Sequence, residues 1–146
     1  MSQKDANPAY DDQNIFAKIM RGEMPCEKVY EDDDTFVLLD IFPRAAGHCL
    51  VLPKAPARNI LDVGESDLEA VARTTKRIAI AVKSAFDADG VSIIQSNEAA
   101  GNQEVFHMHV HVIPRHTGAR MGSPATAMES VESLKKNGAK IRNALG

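Results

Sequence analysis

Hydrophobic and polar residues alternate over residues 105–115, which read VFHMHVHVIPR. On a strand, this alternation places the polar side chains on one face and the apolar ones on the other. On a helix, residues two apart point about 200° away from each other, so the same side chains would not converge. The run therefore predicts a strand that is closed by Pro114. Its core face carries Met108, Val110 and Val112, and its other face presents the imidazoles of His107, His109 and His111.

Shorter patterns predict the remaining strands and a short first helix. Residues 14–24 have helical spacing, with Ile15, Phe16 and Ile19 on the apolar face. Runs rich in β-branched and aromatic residues, bounded by turn residues, predict four further strands. These strands cover residues 27–32, 35–42, 47–54 and 91–96, and a hairpin is expected between the first two.

The clearest helix is predicted from Ser66 to about Phe86. Ser66 and Glu69 have the spacing of a capping box at its start. A further helix over 126–144 is weakened by Gly138. Together the elements predict an α+β fold with a mainly antiparallel sheet of about five strands. The stripe of the long helix that faces the sheet is Leu68, Val71, Thr75, Ile78, Val82 and Ala85.

Length and composition narrow the class of protein. A chain of 146 residues predicts one domain with a sizeable core, preceded by a polar tail at 1–13 and followed after residue 115 by a partly helical extension at 116–146. The net charge of −3 argues against nucleic acid held by bulk charge. Neither a signal peptide nor a membrane span is recognisable. The two cysteines form no disulfide framework, so a cytoplasmic setting is expected.

Three imidazoles on one strand face allow three interpretations. They can share a zinc ion, since three histidines and a water form a catalytic set. A neutral imidazole can instead attack phosphorus and form a covalent intermediate, while its neighbours donate hydrogen bonds or carry a proton. The third interpretation is a row of polar residues without a function.

Four segments resemble the histidine triad (HIT) family of nucleotide hydrolases and transferases. HMHVHVI, residues 107–113, matches the pattern of three histidines separated by apolar residues. DIFPRAAGHCLVLPK at 40–54, NIFAKIMRGEMP at 14–25 and EAAGNQEVFH at 98–107 resemble the other conserved segments of the family, in the same order. The resemblance covers roughly residues 14–115, which we expect to form the HIT domain.

The resemblance implies a role for each histidine in this region. His109 matches the nucleophile that takes the α-phosphate of a nucleotide, and His111 matches the residue that contacts phosphate oxygens. His107 matches a residue that orients the site, and His48 a fourth histidine that packs against the triad. Asp40 matches the residue that binds the ribose hydroxyls. Apolar positions around the purine match Ile15, Phe16, Ile19 and Ile41, which can equally be core residues.

The chain departs from the family pattern in three places. Many bacterial relatives hold a structural zinc with two cysteines, where this chain has Asn14 and Ala17, and with a histidine that LPKAPARN lacks. Glu104 replaces a serine or threonine found in eukaryotic branches. The loop before the triad is one residue longer than AGQxVxH, which leaves the partners of several amides ambiguous. These candidate nucleotide-binding amides are Gln95, Asn97, Asn102 and Gln103, of which Gln95 falls at the position that separates two branches.

The resemblance therefore implies a purine nucleotide hydrolase or nucleotidyl transferase without a cofactor or metal. Nucleoside phosphoramidates and diadenosine polyphosphates are the expected substrates. A homodimer is also implied, in which the long helix meets its two-fold copy through small residues, including Ala70, Ala72, Ala79 and Ala81. The alternatives are a metal-dependent or metal-binding protein that uses the three histidines, and a nucleotide-binding module whose catalysis is vestigial.

Overall fold

The computed structural model describes residues 8–123 and 127–146. Residues 1–7 of the predicted tail, and residues 124–126, where the last helix was predicted to start, lie outside the described part. The elements in chain order are α1 (Ile15–Met20), β1 (Lys28–Glu31), β2 (Thr35–Leu39), β3 (Cys49–Pro53), α2 (Glu65–Ala85), β4 (Gly90–Gln95), β5 (Val110–Arg115) and α3 (Val131–Leu145), with a short 3₁₀ turn at Ala99–Gly101.

The five strands form one sheet in the order β1-β2-β3-β5-β4, and every neighbouring pair is antiparallel. The predicted α+β fold is therefore confirmed. Two of the three inner strands, β2 and β3, are buried along their whole length because each face of the sheet is covered. β4 stands at one edge of the sheet, where Ile93 remains 49% exposed.

The two faces of the sheet carry separate apolar cores. Helices α2 and α3 cover one face, and Met108, Val110 and Val112 lie in that core as the alternation predicted. Helix α1 covers the other face through Phe16, which packs with Phe36, Leu38, Leu50 and Leu52. The predicted apolar face of α1 is only partly correct, since Ile15 is 39% exposed.

Helix α2 begins without the predicted capping box. Its N-cap is Gly64, which makes no side-chain hydrogen bond, so the assignment of Ser66 as the cap was wrong. Glu65 and Asp67 lie in the first turn instead, where carboxylates favour the positive end of the helix dipole. The predicted stripe is correct at Val71, Ile78 and Val82. The remaining buried positions are Ala70, Thr74 and Ala81, so two of the alanines expected at a dimer contact pack inside the chain.

Helix α3 forms despite Gly138 because that residue makes room for a side chain from another element. A Cβ atom at Gly138 would lie 2.6 Å from Oε1 of Glu27, and Glu27 accepts a hydrogen bond of 2.8 Å from Arg142 on the same helix. Leu134 and Ile141 enter the core beside α2. Within the described residues, no helix combines the length and apolar character needed to cross a membrane.

Candidate active site

The histidine run is a strand only from Val110 onward. β3 pairs with β5 at Leu50–His111 and Val51–Val110, and the next residues of β3 lead to Pro53, which has no N–H to continue the ladder. The prediction of a strand from residue 105 was therefore wrong for the segment that contains His107 and His109. Met108 donates its backbone N–H to Ala57 at 2.8 Å instead of to a strand.

His107 is fully buried and holds a partner on each ring nitrogen. Nε2 lies 2.8 Å from the backbone oxygen of Pro53, which can only accept, so Nε2 carries the proton. Nδ1 then accepts from the hydroxyl of Tyr10 at 2.6 Å. Tyr10 gave no signal in the sequence, since it stands alone in a polar segment far from the triad.

His109 is 7% exposed and is oriented by its own neighbour. Its Nδ1 lies 2.7 Å from the backbone oxygen of His107, so Nδ1 carries the proton and Nε2 keeps a free lone pair. The ring packs edge-on against Phe16, with centroids 5.0 Å apart. The arrangement supplies a neutral imidazole whose only unprotonated nitrogen is Nε2.

His48 and His111 form a pair whose tautomers follow from one backbone group. The N–H of Arg44 donates to Nδ1 of His48 at 3.1 Å, so the proton of His48 lies on Nε2. That Nε2 donates to Nδ1 of His111 at 2.9 Å. The remaining nitrogen of His111, Nε2, is therefore a donor, and its ring centroid lies 5.0 Å from that of His109.

Burial keeps these imidazoles neutral at neutral pH. Desolvation lowers the pKa of His48 to about 3, and that of His107 and of His111 to about 4. Burial also lowers the pKa of His109, against the opposing effect of its hydrogen bond to His107. The site thus combines a neutral imidazole that has a lone pair, His109, with a neutral imidazole that has a donor, His111.

Asp40 follows β2 and uses its two carboxylate oxygens differently. Oδ1 accepts from the backbone N–H of Phe42 at 2.8 Å, which makes Asp40 a turn residue before Pro43. Oδ2 lies 3.6 Å from Nε2 of His48. Since His48 is neutral, this contact is not a salt bridge. Burial raises the pKa of Asp40, and the charge of Glu104 adds to that effect.

The apolar residues matched to the purine site divide between the two cores. Phe16 and Ile19 lie in the core beside α1, where the ring of Phe16 packs against His109, whereas Ile41 packs against the core beneath α2 and α3. Ile15 is exposed. Of the four matched residues, Phe16 is therefore the one with an observed contact to a triad histidine.

Three of the candidate amides, Gln95, Asn97 and Gln103, make hydrogen bonds within the protein. Gln95 and Asn97 exchange two hydrogen bonds of 2.8 Å. Because Gln95 lies opposite Val110 in the sheet, its side chain is on the face that points away from His111. Gln103 is 4% exposed and joins Asn59, Arg58, Val105 and the N–H of Glu98. These contacts make Gln103 a loop-forming residue.

Asn102 offers a reason for the apparent extra residue in this loop. Its φ of 72° lies in the left-handed region, where glycine is usual and asparagine is tolerated. If Asn102 takes the place of the glycine in AGQxVxH, Gln103 is the glutamine and no residue is extra. The position that separates the branches then moves from Gln95 to Ser96. Glu104 is exposed. Its negative charge partly opposes the lowering of the His109 pKa by burial.

A salt bridge that the sequence did not reveal fastens this loop. Glu98 has φ 64° and ψ 163°, a combination that is nearly restricted to glycine. Arg58 donates two hydrogen bonds to Glu98, at 2.8 and 2.9 Å, and Asn59 adds a third at 2.6 Å. The guanidinium of Arg58 also lies over the ring of Phe106, 4.2 Å from its centroid. The Arg58–Glu98 salt bridge joins residues that are 40 positions apart, and Arg58 also contacts Phe106, the residue before His107.

Comparisons with known proteins agree with this geometry. A family model described as "HIT domain" matches residues 21–118. A Hit-like protein from Bartonella henselae superposes with a TM-score of 0.90 at 47% identity, over 94% of this chain and 99% of that one. A zinc-bound histidine triad family protein from Mycobacterium smegmatis superposes with a TM-score of 0.82 at 31% identity, over 91% and 93% of the two chains.

An adenylylsulfatase from Arabidopsis thaliana is 38% identical over 101 residues, which are 69% of this chain. The matched region spans 51% of that relative, so about half of its length has no counterpart here.

The residues at the zinc positions of bacterial relatives do not fit that metal in this chain. Ala17 is buried and has no ligand atom. Asn14 accepts from the N–H of Ala17 at 2.9 Å and donates to Tyr10 at 3.0 Å, so both ends of its amide are occupied. Zinc sites of this type need thiolate or imidazole ligands.

Proposed function

Because this chain belongs to the histidine triad family of nucleotide-binding hydrolases and transferases, we propose that it acts at the α-phosphate of a purine nucleotide. The observation that carries the proposal is the free Nε2 of His109, whose other ring nitrogen is fixed by the backbone oxygen of His107. The proposed intermediate is a nucleotide bound covalently to Nε2 of His109.

In the first step, the Nε2 lone pair of His109 attacks the α-phosphorus. The bond from phosphorus to the leaving amine or phosphate breaks, and the leaving group keeps the bonding pair and takes up a proton. An uncharged nucleophile meets less repulsion from the anionic phosphate than a carboxylate would. The positive charge that develops on the ring is stabilised by the carbonyl of His107, which accepts from Nδ1.

His111 stabilises the phosphate oxygens during both steps. Its Nε2–H points away from His48, because Nδ1 is occupied by the donor of that residue. A fixed donor needs no reorganisation as charge builds on the oxygens. His48 acts through His111 and is a positioning residue.

In the second step, water attacks the same phosphorus, and the phosphorus–nitrogen bond breaks. The electron pair returns to Nε2 of His109, and the products are the nucleoside monophosphate and a proton. If an alcohol or a phosphate enters instead of water, the same step becomes a transfer. Asp40 is proposed to bind the ribose hydroxyls, and Phe16 with Ile19 the purine.

Substrates with an amine or a second phosphate as the leaving group are proposed first. These are nucleoside phosphoramidates and diadenosine polyphosphates. Adenylyl sulfate joins them because one relative is an adenylylsulfatase. A panel of these three compounds identifies the leaving group.

The covalent step is tested by His109→Asn together with mass spectrometry of the intact protein. Loss of turnover by several orders of magnitude is expected with the fold retained, and wild-type protein mixed with substrate should gain the mass of one nucleotide. Turnover near the wild-type rate in this variant would contradict the mechanism. Retained nucleotide binding in a wild-type protein without any turnover would favour the vestigial binding module.

The metal-dependent alternative would use a different set of residues from the triad. Among the described residues, potential ligand atoms of Asp40, His48 and His111 lie within 4.8 Å of one another. The Nε2 of His48 bears a proton in this arrangement, so His48 would have to change tautomer to bind an ion. Metal analysis of the purified protein distinguishes the two proposals, since stoichiometric zinc would favour the metal-dependent alternative over the metal-free mechanism.

We also propose a homodimer with one active site in each chain, in a cytoplasmic setting. The edge strand β4 exposes 49% of Ile93, and α2 on the same side of the sheet exposes 63% of Ile80. Pairing two β4 edges around a two-fold axis would cover both residues. The reducing setting agrees with Cys26 and Cys49, which are both free thiols.

A further inference from the structure

Tyr10 touches the catalytic histidines from a segment that precedes the first helix. Its hydroxyl lies 2.6 Å from Nδ1 of His107 and is the side-chain partner of that nitrogen. We propose that Tyr10 is a positioning residue, which fixes the tautomer and orientation of His107 and thereby aims the nucleophile His109. The inference rests on the proposed role of His109 but has a readout that does not depend on turnover.

The direction of each hydrogen bond at Tyr10 follows from its neighbours. Nδ1 of His107 has no proton, because Nε2 donates to Pro53 at 2.8 Å. The phenol must therefore donate to His107. Its oxygen accepts from Nδ2 of Asn14 at 3.0 Å. Asn14 in turn accepts from the N–H of Ala17 and caps α1, so the hydrogen-bonded chain is anchored on a helix.

Burial keeps Tyr10 and His107 in the protonation states that their hydrogen bond requires at neutral pH. Desolvation raises the pKa of Tyr10, so the phenol keeps the proton that it donates. Desolvation lowers the pKa of His107 to about 4, so the ring keeps the lone pair that accepts it. A hydrogen bond received by a neutral imidazole favours the neutral form further.

A single residue, His107, connects Tyr10 to the proposed nucleophile His109. The side chain of His107 is held by Tyr10 and Pro53, and the following N–H of Met108 is held by Ala57 at 2.8 Å. The carbonyl between these anchors is the acceptor for Nδ1 of His109. Loss of the phenol leaves His107 held on one side, which allows this carbonyl and the His109 ring to shift.

The test compares Tyr10→Phe with Tyr30→Phe, since the chain has two tyrosines. The hydroxyl of Tyr30 contacts Asp32 and Arg77 and none of the histidines, so it is a matched control. In Tyr10→Phe we expect kcat to fall about tenfold, the effect of one lost hydrogen bond, with KM unchanged. Nitrogen-15 NMR of the imidazoles should show a changed Nδ1 signal for His107 and a raised pKa.

A second variant, Asn14→Asp, tests the same chain without removing the phenol. The carboxylate keeps the cap of α1 but cannot donate to Tyr10, and it competes with His107 for the phenol proton. A changed His107 signal is expected here as well. If the His107 signals of both variants match those of Tyr30→Phe, Tyr10 has no positioning role. A changed signal without turnover in any protein would instead count against the proposed function alone.

Discussion

The backbone carbonyl of His107 and the imidazole of His109 are joined by a hydrogen bond of 2.7 Å. The acceptor belongs to the residue two positions earlier, so the orientation of the His109 ring depends on the backbone of His107. That backbone lies between the contacts of the His107 ring and the contact of Met108 with Ala57, and a shift there would move the acceptor. The imidazole that we propose as the nucleophile is thus oriented by a main-chain acceptor.

The proposed activity should survive mild acid because His109, the proposed nucleophile, stays neutral there. Burial lowers the pKa of His109 below the ordinary value of 6.5. Protonation removes the lone pair, so the acid limb of kcat/KM is expected below pH 6.5. A pH–rate profile of the free enzyme measures it. Half-maximal activity at or above pH 6.5 would show that His109 is not desolvated.

The folded protein should lose stability as the pH falls from about 6.5 to 4. In the unfolded chain His48, His107 and His111 bind protons with a pKa of 6.5, whereas in the folded chain these values are lowered to about 3 or 4. The unfolded state therefore takes up more protons in this range. Each histidine lowers the free energy of unfolding by up to about 1.4 kcal/mol per pH unit.

Urea unfolding at pH 7, 6 and 5 tests this dependence. His48→Asn should reduce the slope of stability against pH by about one proton. Equal stability of the wild type at pH 7 and pH 5 would contradict the burial of these rings.

Gly47→Ala should be strongly destabilising, and Gly22→Ala provides its control. Both glycines have positive φ, 90° and 80°, but a Cβ at Gly47 would lie 2.7 Å from Cδ2 of Phe86, whereas Gly22 has no neighbour within 4 Å. We expect a loss of about 2–4 kcal/mol at Gly47, from backbone strain and overpacking together, and about 1 kcal/mol at Gly22. Chemical denaturation gives both values. Equal losses would mean that Phe86 moves aside freely.

The proposed dimer should depend on the exposed apolar residues at β4 and α2. Sedimentation at micromolar concentration is expected to give twice the chain mass of 15.8 kDa, and Ile93→Lys or Ile80→Glu should shift it to the monomer. Val131→Glu changes a residue of α3 that is 67% exposed and should leave the mass unchanged. A fully active wild-type monomer would show that the pairing is unnecessary.

The sequence predicted those features that depend on local alternation. The apolar positions Val110 and Val112 were correct because burial on a sheet face has a period that is visible within eight residues, and Met108 enters the same core although it precedes the strand. The start of β5 was wrong because Pro53, on a different strand, ends the ladder. The capping box was wrong for a local reason, since the helix already begins at Glu65 with Gly64 as its N-cap.

Periodicity could predict neither the contacts that fix the histidine tautomers nor the salt bridge that holds the loop before the triad. Tyr10 and His107 are 97 positions apart, and Arg58 and Glu98 are 40 apart. The sequence predicted α3 only weakly because glycine disfavours helices, yet the space that Gly138 leaves is filled by the side chain of Glu27. Such pairs appear only when the fold has brought distant segments together.

The strained backbone at Glu98 restricts how this loop can evolve. A non-glycine residue persists at φ 64° because Arg58 and Asn59 hold its carboxylate. Loss of Arg58 would leave the strain without its compensation, so substitutions at the two positions should be epistatic. Glycine relieves the strain and is one nucleotide change away from either glutamate codon. Homologues are therefore expected to carry either the Arg–Glu pair or a glycine at position 98, with few intermediates between them.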